Sequence, residues 1–308
     1  MSFGDNSERT IKPRSSKERS LNLSFIAISA FFAVSIGLIL LSVTLIVAQR
    51  AEPAIFRFGL EFLSNSNWNP VKDDYGVMPA VYGTIVSSLL ALAIAVPIGL
   101  GVSIFLSEDY LPNQIQRILV FLVELLAAIP SVVYGFWGLL VLSPFLNSFT
   151  PLRGLSGMLP AFLILSVMVL PTIAAISRDA LINVPSELRQ ASYGLGATRW
   201  ETIILIILPA ASSGIIGGVM LALGRALGET MAVTMLIGNS NKNPFLDFSL
   251  SSLIFDPANT IASLLANQFA EASGLQVAAL MYAALILFAL TLVVNILAQL
   301  LVSRLQKI

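Results

Sequence analysis

Six stretches of this sequence are nearly free of charge, and short polar segments separate them. Residues 24–48, 75–107, 154–177 and 272–303 carry no charged side chain; residues 118–152 carry only Glu124, and residues 202–241 only Arg225 and Glu229. Each can hold a helix of the ~20 residues that cross the hydrocarbon core of a bilayer. The pattern predicts six transmembrane helices, with cores near 24–48, 80–105, 118–143, 158–177, 209–236 and 277–301. Residues 24–48 are too long for the apolar core of a cleaved signal peptide and read as an uncleaved signal-anchor. The third stretch contains Pro130 followed by Ser131 and has room for a kink or break there. Pro130 would free backbone carbonyls, which Ser131 can help satisfy.

The polar segments set the expected organisation. Residues 1–20 hold five basic and three acidic groups and read as a polar cytoplasmic tail, with a single transmembrane domain over 21–308. With the N-terminus inside, eleven Lys and Arg fall in inner segments and five in outer ones, so both termini are expected in the cytoplasm. The loop at 178–201 is then cytoplasmic, and segments 50–79 and 238–276 are external. Residues 50–79, with Trp68, Pro70, Asp73 and Asp74, can form a small external cap. In residues 257–270, Ile261, Leu264, Leu265 and Phe269 fall at helical spacing. The segment is too short to span and reads as an interfacial or re-entrant helix, or as one lying on the outer surface. No internal repeat stands out, so an inverted-repeat carrier gains no support.

Composition then narrows the function. The chain is 56% hydrophobic and 11% charged, against roughly 25% charged in soluble proteins. Its mean hydropathy is +0.88. This is an all-α polytopic membrane protein whose surroundings are the lipid bilayer. The formal net charge is zero, which gives no footing for nucleic acid. Cys and His are both absent, which excludes disulfides, thiolate metal sites, cysteine nucleophiles and histidine acid–base chemistry. No metal site, catalytic residue or bound cofactor is expected, and no Gly-x4-Gly-Lys loop for nucleotide phosphates occurs. A membrane-embedded enzyme would lack the usual catalytic parts.

The most specific motif lies in the inner loop. Val184-Pro185-Ser186-Glu187 precedes Gln190-Ala191-Ser192-Tyr193-Gly194-Leu195-Gly196, and nine residues later comes Ile206-Ile207-Leu208-Pro209. Ser186 can cap a short helix, Gly194 and Gly196 suit a turn, and Pro209 can begin the fifth membrane helix. Ala191, Ser192 and Gly196 are small, so another protein's surface can approach closely. Arg189, Arg199 and Glu201 would rim this docking knob. The spacing resembles the E-A-A-x3-G-x9-I-x-L-P signature of ABC importer permeases, matched at Gln190, Ala191, Ser192, Gly196, Ile206, Leu208 and Pro209. Gln replaces the first Glu and Ser the second Ala. The resemblance implies the type I ABC importer permease fold, and a coupling loop (Glu187, Gln190, Ala191, Ser192, Gly196, Pro209) that docks by shape on an ATPase.

Arg225 and Glu229 are four apart and would share one helix face. Each costs ~2.5–3.5 kcal/mol at mid-bilayer on the insertion scale, so neither is expected to face lipid. They can neutralise each other and tie helices together, or line a translocation path in which Arg225 suits an oxyanion. If the helix begins at Pro209 and is not broken at Gly214, Gly217 or Gly218, Arg225 lies ~24 Å along it. Gly214 with Gly218, and Gly224 with Gly228, have the spacing that lets helix backbones approach, including those of a second permease chain. Glu124, near Arg117, reads as structural.

Two segments sharpen the resemblance: Pro130-Ser131-Val132-Val133-Tyr134-Gly135 and Gly224-Arg225-Ala226-Leu227-Gly228-Glu229-Thr230. They look like signatures of phosphate-specific ABC permeases, of the PstC rather than the PstA type, over residues 24–302. That resemblance implies a permease subunit of the bacterial inner membrane forming half of a phosphate pore. It also implies three partners: a PstA-like second permease, a PstB-like ATPase dimer that uses the ATP, and an external PstS-like phosphate-binding protein. Arg225 and Glu229 match the family's phosphate-pathway positions. A permease for another oxyanion, such as molybdate or sulfate, is the nearest alternative. An ion-coupled secondary carrier using Arg225 and Glu229 is the alternative from another class, and the coupling motif argues against it.

Overall fold

The computed structural model describes residues 16–108, 110–150, 154–243 and 249–305. The polar tail expected at 1–20 lies outside these as far as residue 15, as do Arg153 and Lys307. The chain divides into two compact units, residues 1–49 and 50–308.

Helix α1 (Ser16–Phe58) begins inside the expected tail and runs past the expected end of the first span. In the first unit its apolar side chains are exposed, as suits lipid. Ser35, Ser42 and Thr44 donate to the carbonyls of Phe31, Leu38 and Leu40, each four residues back, so these three hydroxyls need no water.

The second unit is built on helix packing. After α2 (Glu61–Ser64), strands at Trp68–Asn69 and Asp74–Tyr75 form a two-stranded antiparallel hairpin. Both side-chain amides of Asn65 and Asn67 donate to Asp74 and hold the turn. Phe62 stacks on Tyr282 at 4.7 Å, and the Tyr282 hydroxyl donates to the Gly59 carbonyl at 3.0 Å. Residues 50–79 thus form the expected cap, pinned to the last long helix.

Helices α3 (Met78–Ser107) and α7 (Met158–Ile182) form the central pair. In α7, 61% of the most apolar window is buried, against 33% in α3, which makes α7 the axis of the bundle. Between them come α4 (Asn113–Ala128), α5 (Ser131–Trp137), a wide π-helical turn over Gly138–Leu142, and α6 (Ser143–Asn147). The single third span expected over 118–143 is therefore a broken one, bent by 89°. Ile129 (φ −66°, ψ 128°) and Pro130 (φ −58°, ψ 137°) are both extended, because a residue before proline is pushed out of the helical region. Pro130 has no N–H for the Leu126 carbonyl, and the Tyr134 hydroxyl supplies that donor at 2.8 Å. Tyr134 takes the role expected of Ser131.

After the short helix α8 (Ser186–Gly194), one continuous helix starts earlier than expected, at α9 (Arg199–Thr202). It passes through a π-helical turn at Ile203–Ile207 into α10 (Leu208–Gly228). Pro209 lies inside this helix and does not begin it. The wide turn before it absorbs the lost hydrogen bond to Leu205 and the clash of the proline ring. No break occurs at Gly214, Gly217 or Gly218. Gly214 and Gly218 instead face α7, where an added Cβ would lie 2.5 Å from the Ala180 Cβ and 3.1 Å from Ile176. That close packing is made within this chain. Helices α11 (Met231–Leu236), α12 (Leu250–Phe255), α13 (Ile261–Gln268) and α14 (Leu275–Leu305) complete the unit. Among the described residues, five helices are long and apolar enough to cross a membrane, and the bent α4–α6 segment makes a sixth when taken as one span.

The segment expected as an interfacial, re-entrant or surface helix is α13, and it is packed inward. Ile261, Ala262, Ser263 and Leu264 are buried. Thr260 caps the helix, and Thr84 of α3 accepts from the Ile261 N–H at 3.0 Å. Gly83 makes this approach possible, since a Cβ there would lie 1.9 Å from the Asn259 carbonyl oxygen. Replacing Gly83 with Ala should displace α13 and cost ~1–3 kcal/mol, typical of overpacking. A lowered thermal unfolding midpoint of the detergent-solubilised protein would register it.

Candidate functional site

Two regions carry the chemistry expected of the sequence. The first is the loop after α7. Pro185 (φ −52°, ψ 132°) stands at the N-cap of α8, with no side-chain cap, so Ser186 is the first helical residue rather than the cap. The helix ends on Gly196 (φ +86°), whose N–H donates to Tyr193 O, while the Ala197 N–H donates to Ser192 O. This is the 6→1 and 5→2 bonding of a Schellman ending, which needs a left-handed residue and so favours glycine. Thr198 and Glu201 then form a capping box that starts the next helix.

Glu187, Gln190, Ala191 and Gly196 are exposed, as a docking surface requires. Ser192 is not: it is 8% exposed, and its hydroxyl lies 2.9 Å from that of Thr202. It joins α8 to the helix that follows. Arg189, expected on the rim, turns inward to Glu108. The most exposed apolar groups are Leu195, 90% exposed at the tip, and Trp200, 61% exposed. Both were legible as apolar residues in a charged loop. Pro209 is about two turns beyond Thr202, inside the long helix, away from this surface.

The second region is a cavity of about 800 Å³ bordered by α7, α10 and α14. Arg225 lies in its wall, near the end of α10, with Thr172, Ser213, Asn295 and Gln299 as the other polar groups. Gly217 and Gly224 leave open space where a side chain would intrude. Arg225 Nη1 is 3.4 Å from Thr172 Oγ1. No carboxylate pairs with Arg225 among the described residues.

Arg225 and Glu229 do not share a helix face. The helix ends at Gly228, and Glu229 is extended (φ −68°, ψ 122°). Its carboxylate accepts from the Ala232 N–H at 3.2 Å, at the start of α11, where an anion suits the helix N-terminus. The i,i+4 rule fails because the glycine before Glu229 stops the helix. Arg225 is thereby left as an uncompensated cation among neutral hydrogen-bonding groups. Such a wall can hold an anion through charge-assisted donors. Asn295 and Gln299 escape a search for charge, yet two amides four apart in an otherwise apolar helix were the signal for them. Glu124 is exposed beside a small pocket that also has Arg178 and Asp179 in its wall.

The family model for binding-protein-dependent transport system inner membrane components matches residues 95–307. The chain is 41% identical over 306 residues to the phosphate transport system permease protein PstC of Pasteurella multocida, covering 93% of each. It is 40% identical to the PstC of Haemophilus influenzae, covering 91% of this chain and 92% of that one. Among solved structures, a chain of a bacterial alginate ABC transporter has a TM-score of 0.65 at 16% identity, covering 94% of this chain and 98% of that one. A chain of the MetNI methionine ABC transporter has a TM-score of 0.57 at 19% identity, with 73% and 94% covered. At these identities the structures speak for the fold alone.

Since the chain has no cysteine, single cysteines report on the cavity without background. In proteoliposomes, Asn295→Cys should react with a small water-soluble thiol reagent. Ala279→Cys, at a buried position of α14, should not react. Equal protection of both would mean that lipid or protein, not water, fills the cavity.

Proposed function

The chain belongs to the family of binding-protein-dependent transport system inner membrane components, and from that premise we propose that it is the PstC-type permease subunit of an ATP-driven importer of inorganic phosphate. It is a multi-pass inner-membrane transport component rather than a catalytic one. The single observation that carries a pathway role is Arg225, a cation with no carboxylate partner among the described residues, set in a cavity whose other polar groups are neutral.

In this reading a PstA-like permease supplies the other half of the pore. A PstB-like ATPase dimer docks on α8 and the tip at Leu195, and a PstS-like protein delivers phosphate from outside. ATP is hydrolysed by the ATPase alone, in keeping with the absence of a phosphate-binding Gly-x4-Gly-Lys loop here. The excess of Lys and Arg on the α8 side supports cytoplasmic termini and a cytoplasmic coupling loop.

Phosphate entering the cavity exchanges water for the Arg225 guanidinium and for donors from Thr172, Ser213, Asn295 and Gln299. Charge attraction is stronger there than in water, and one cation rather than several keeps release feasible. Glu229, turned to the N-terminus of α11, shapes the end of the path rather than competing for the guanidinium. The coupling loop transmits motion by shape, because a packed interface moves as a body.

Uptake is measured in proteoliposomes holding all four components. It should need ATP and every component. Replacing Arg225 with Gln should lower it roughly tenfold to a hundredfold at unchanged assembly, the effect of losing a charge-assisted contact of ~1.5–3 kcal/mol. Normal uptake in that variant would remove Arg225 from the path. Excess molybdate or sulfate should compete poorly with phosphate; strong competition by either would reassign the substrate to another oxyanion. Uptake driven by an ion gradient without the ATPase would replace the importer by a carrier.

A further inference from the structure

The polar contacts at the end of α3 converge on the coupling helix. The last carbonyls of any helix lack intrahelical partners. Here the Leu106 carbonyl accepts from Gln116 Nε2 of α4 at 2.7 Å and from Arg178 Nε of α7 at 3.3 Å. Two residues on, Glu108 leaves the helix in an extended conformation (φ −96°, ψ 154°). Its carboxylate pairs with Arg189 Nη1 of α8, from 81 residues away in sequence. The two side chains are only 10% and 20% exposed. The other terminal nitrogen of Arg189 donates to the Leu181 carbonyl near the end of α7 at 3.1 Å. One guanidinium thereby ties α8 to α7 and to the residue that follows α3.

We propose that Glu108 is a positioning residue for transport coupling: it holds Arg189 so that a displacement of α8 passes to α3 and α7. The proposal rests on the importer reading given above. A largely buried ion pair is a costly way to gain stability alone, since apolar side chains of similar volume often serve as well. What the pair adds is direction. The bidentate geometry of arginine fixes α8 against two helix ends at once, which sliding apolar contact does not do. The other hydrogen bond from α8, Ser192 to Thr202, reaches the helix that carries Arg225. Coupling motion therefore enters the bundle by two routes: through Ser192 to the α9–α10 helix, and through Glu108 to α3 and α7. The second route moves α7, whose Thr172 accepts from Arg225 at 3.4 Å in the cavity wall.

The test measures phosphate uptake and ATP hydrolysis in the same proteoliposomes of the full complex. Glu108→Gln keeps the shape and removes the charge. It should lower phosphate imported per ATP by about fivefold or more, the low end of typical coupling between sites. Hydrolysis and assembly should stay near the wild-type level. The exchange of Glu108→Arg with Arg189→Glu restores the ion pair but not the donation to the Leu181 carbonyl, so it should recover part of the lost ratio. An unchanged ratio in Glu108→Gln overturns the proposal, and so does a parallel fall in uptake and hydrolysis that the exchange does not reverse. Should Glu108→Gln fail to assemble, Arg189→Lys takes its place. It keeps the charge but cannot hold Glu108 and the Leu181 carbonyl together, and an unchanged ratio there overturns the proposal equally. A wild-type complex that imports no phosphate with ATP overturns the importer reading itself.

Discussion

The bilayer offers no water to an unpaired backbone group, and that constraint shapes several departures from regular helix among the described residues. Where Pro130 removes a donor, the Tyr134 hydroxyl replaces it at the Leu126 carbonyl. Where the helix stops at Gly228, the Glu229 carboxylate meets the first N–H groups of the next one. Where Pro209 interrupts the hydrogen-bond ladder, a wide turn precedes it and the helix continues. At the end of α3, side chains from α4 and α7 satisfy the Leu106 carbonyl. Each break in the backbone is also a place where a polar side chain is brought to a fixed position.

The same constraint explains why Arg225 is tolerable. A guanidinium facing hydrocarbon would be expensive, whereas one facing an open cavity with hydroxyl and amide neighbours is not. Glycines at 217 and 224 keep that space clear, while Gly214 and Gly218 on another face of the helix press it against α7. One helix is thus small on two faces for two reasons. One face gains packing and the other leaves volume.

Much of this was legible in the sequence, and the misses have physical causes. The six hydrophobic segments, the turn at Gly196 and the inward placement of Arg225 follow from length, turn chemistry and the cost of a charge in lipid. Pairing of Arg225 with Glu229 assumed that the helix continued, and Gly228 was the sign that it does not. Ser192 was expected on the surface because it is small, but smallness does not say which side of a short helix faces in. Asn295 and Gln299 carry no charge and so passed unmarked in the last apolar segment. The tie between Glu108 and Arg189 could not be read at all, since no local pattern links residues so far apart. Pro209 was read as a start because proline suits the first turn, and only the three-dimensional ladder shows the turn that accommodates it.

The wide turn at Ile203–Ile207 has one more consequence. Each residue of an α-helix turns the chain by ~100°, so a turn that takes in one extra residue shifts the rotational phase of everything beyond it. Arg225 lies beyond that turn, and the surface built on α8 lies before it. The azimuth of the guanidinium about its helix is therefore set by the residue count of a short aliphatic stretch that does not line the cavity. Losing one residue there would swing Arg225 from the cavity toward a neighbouring wall, without altering a single side chain at either place.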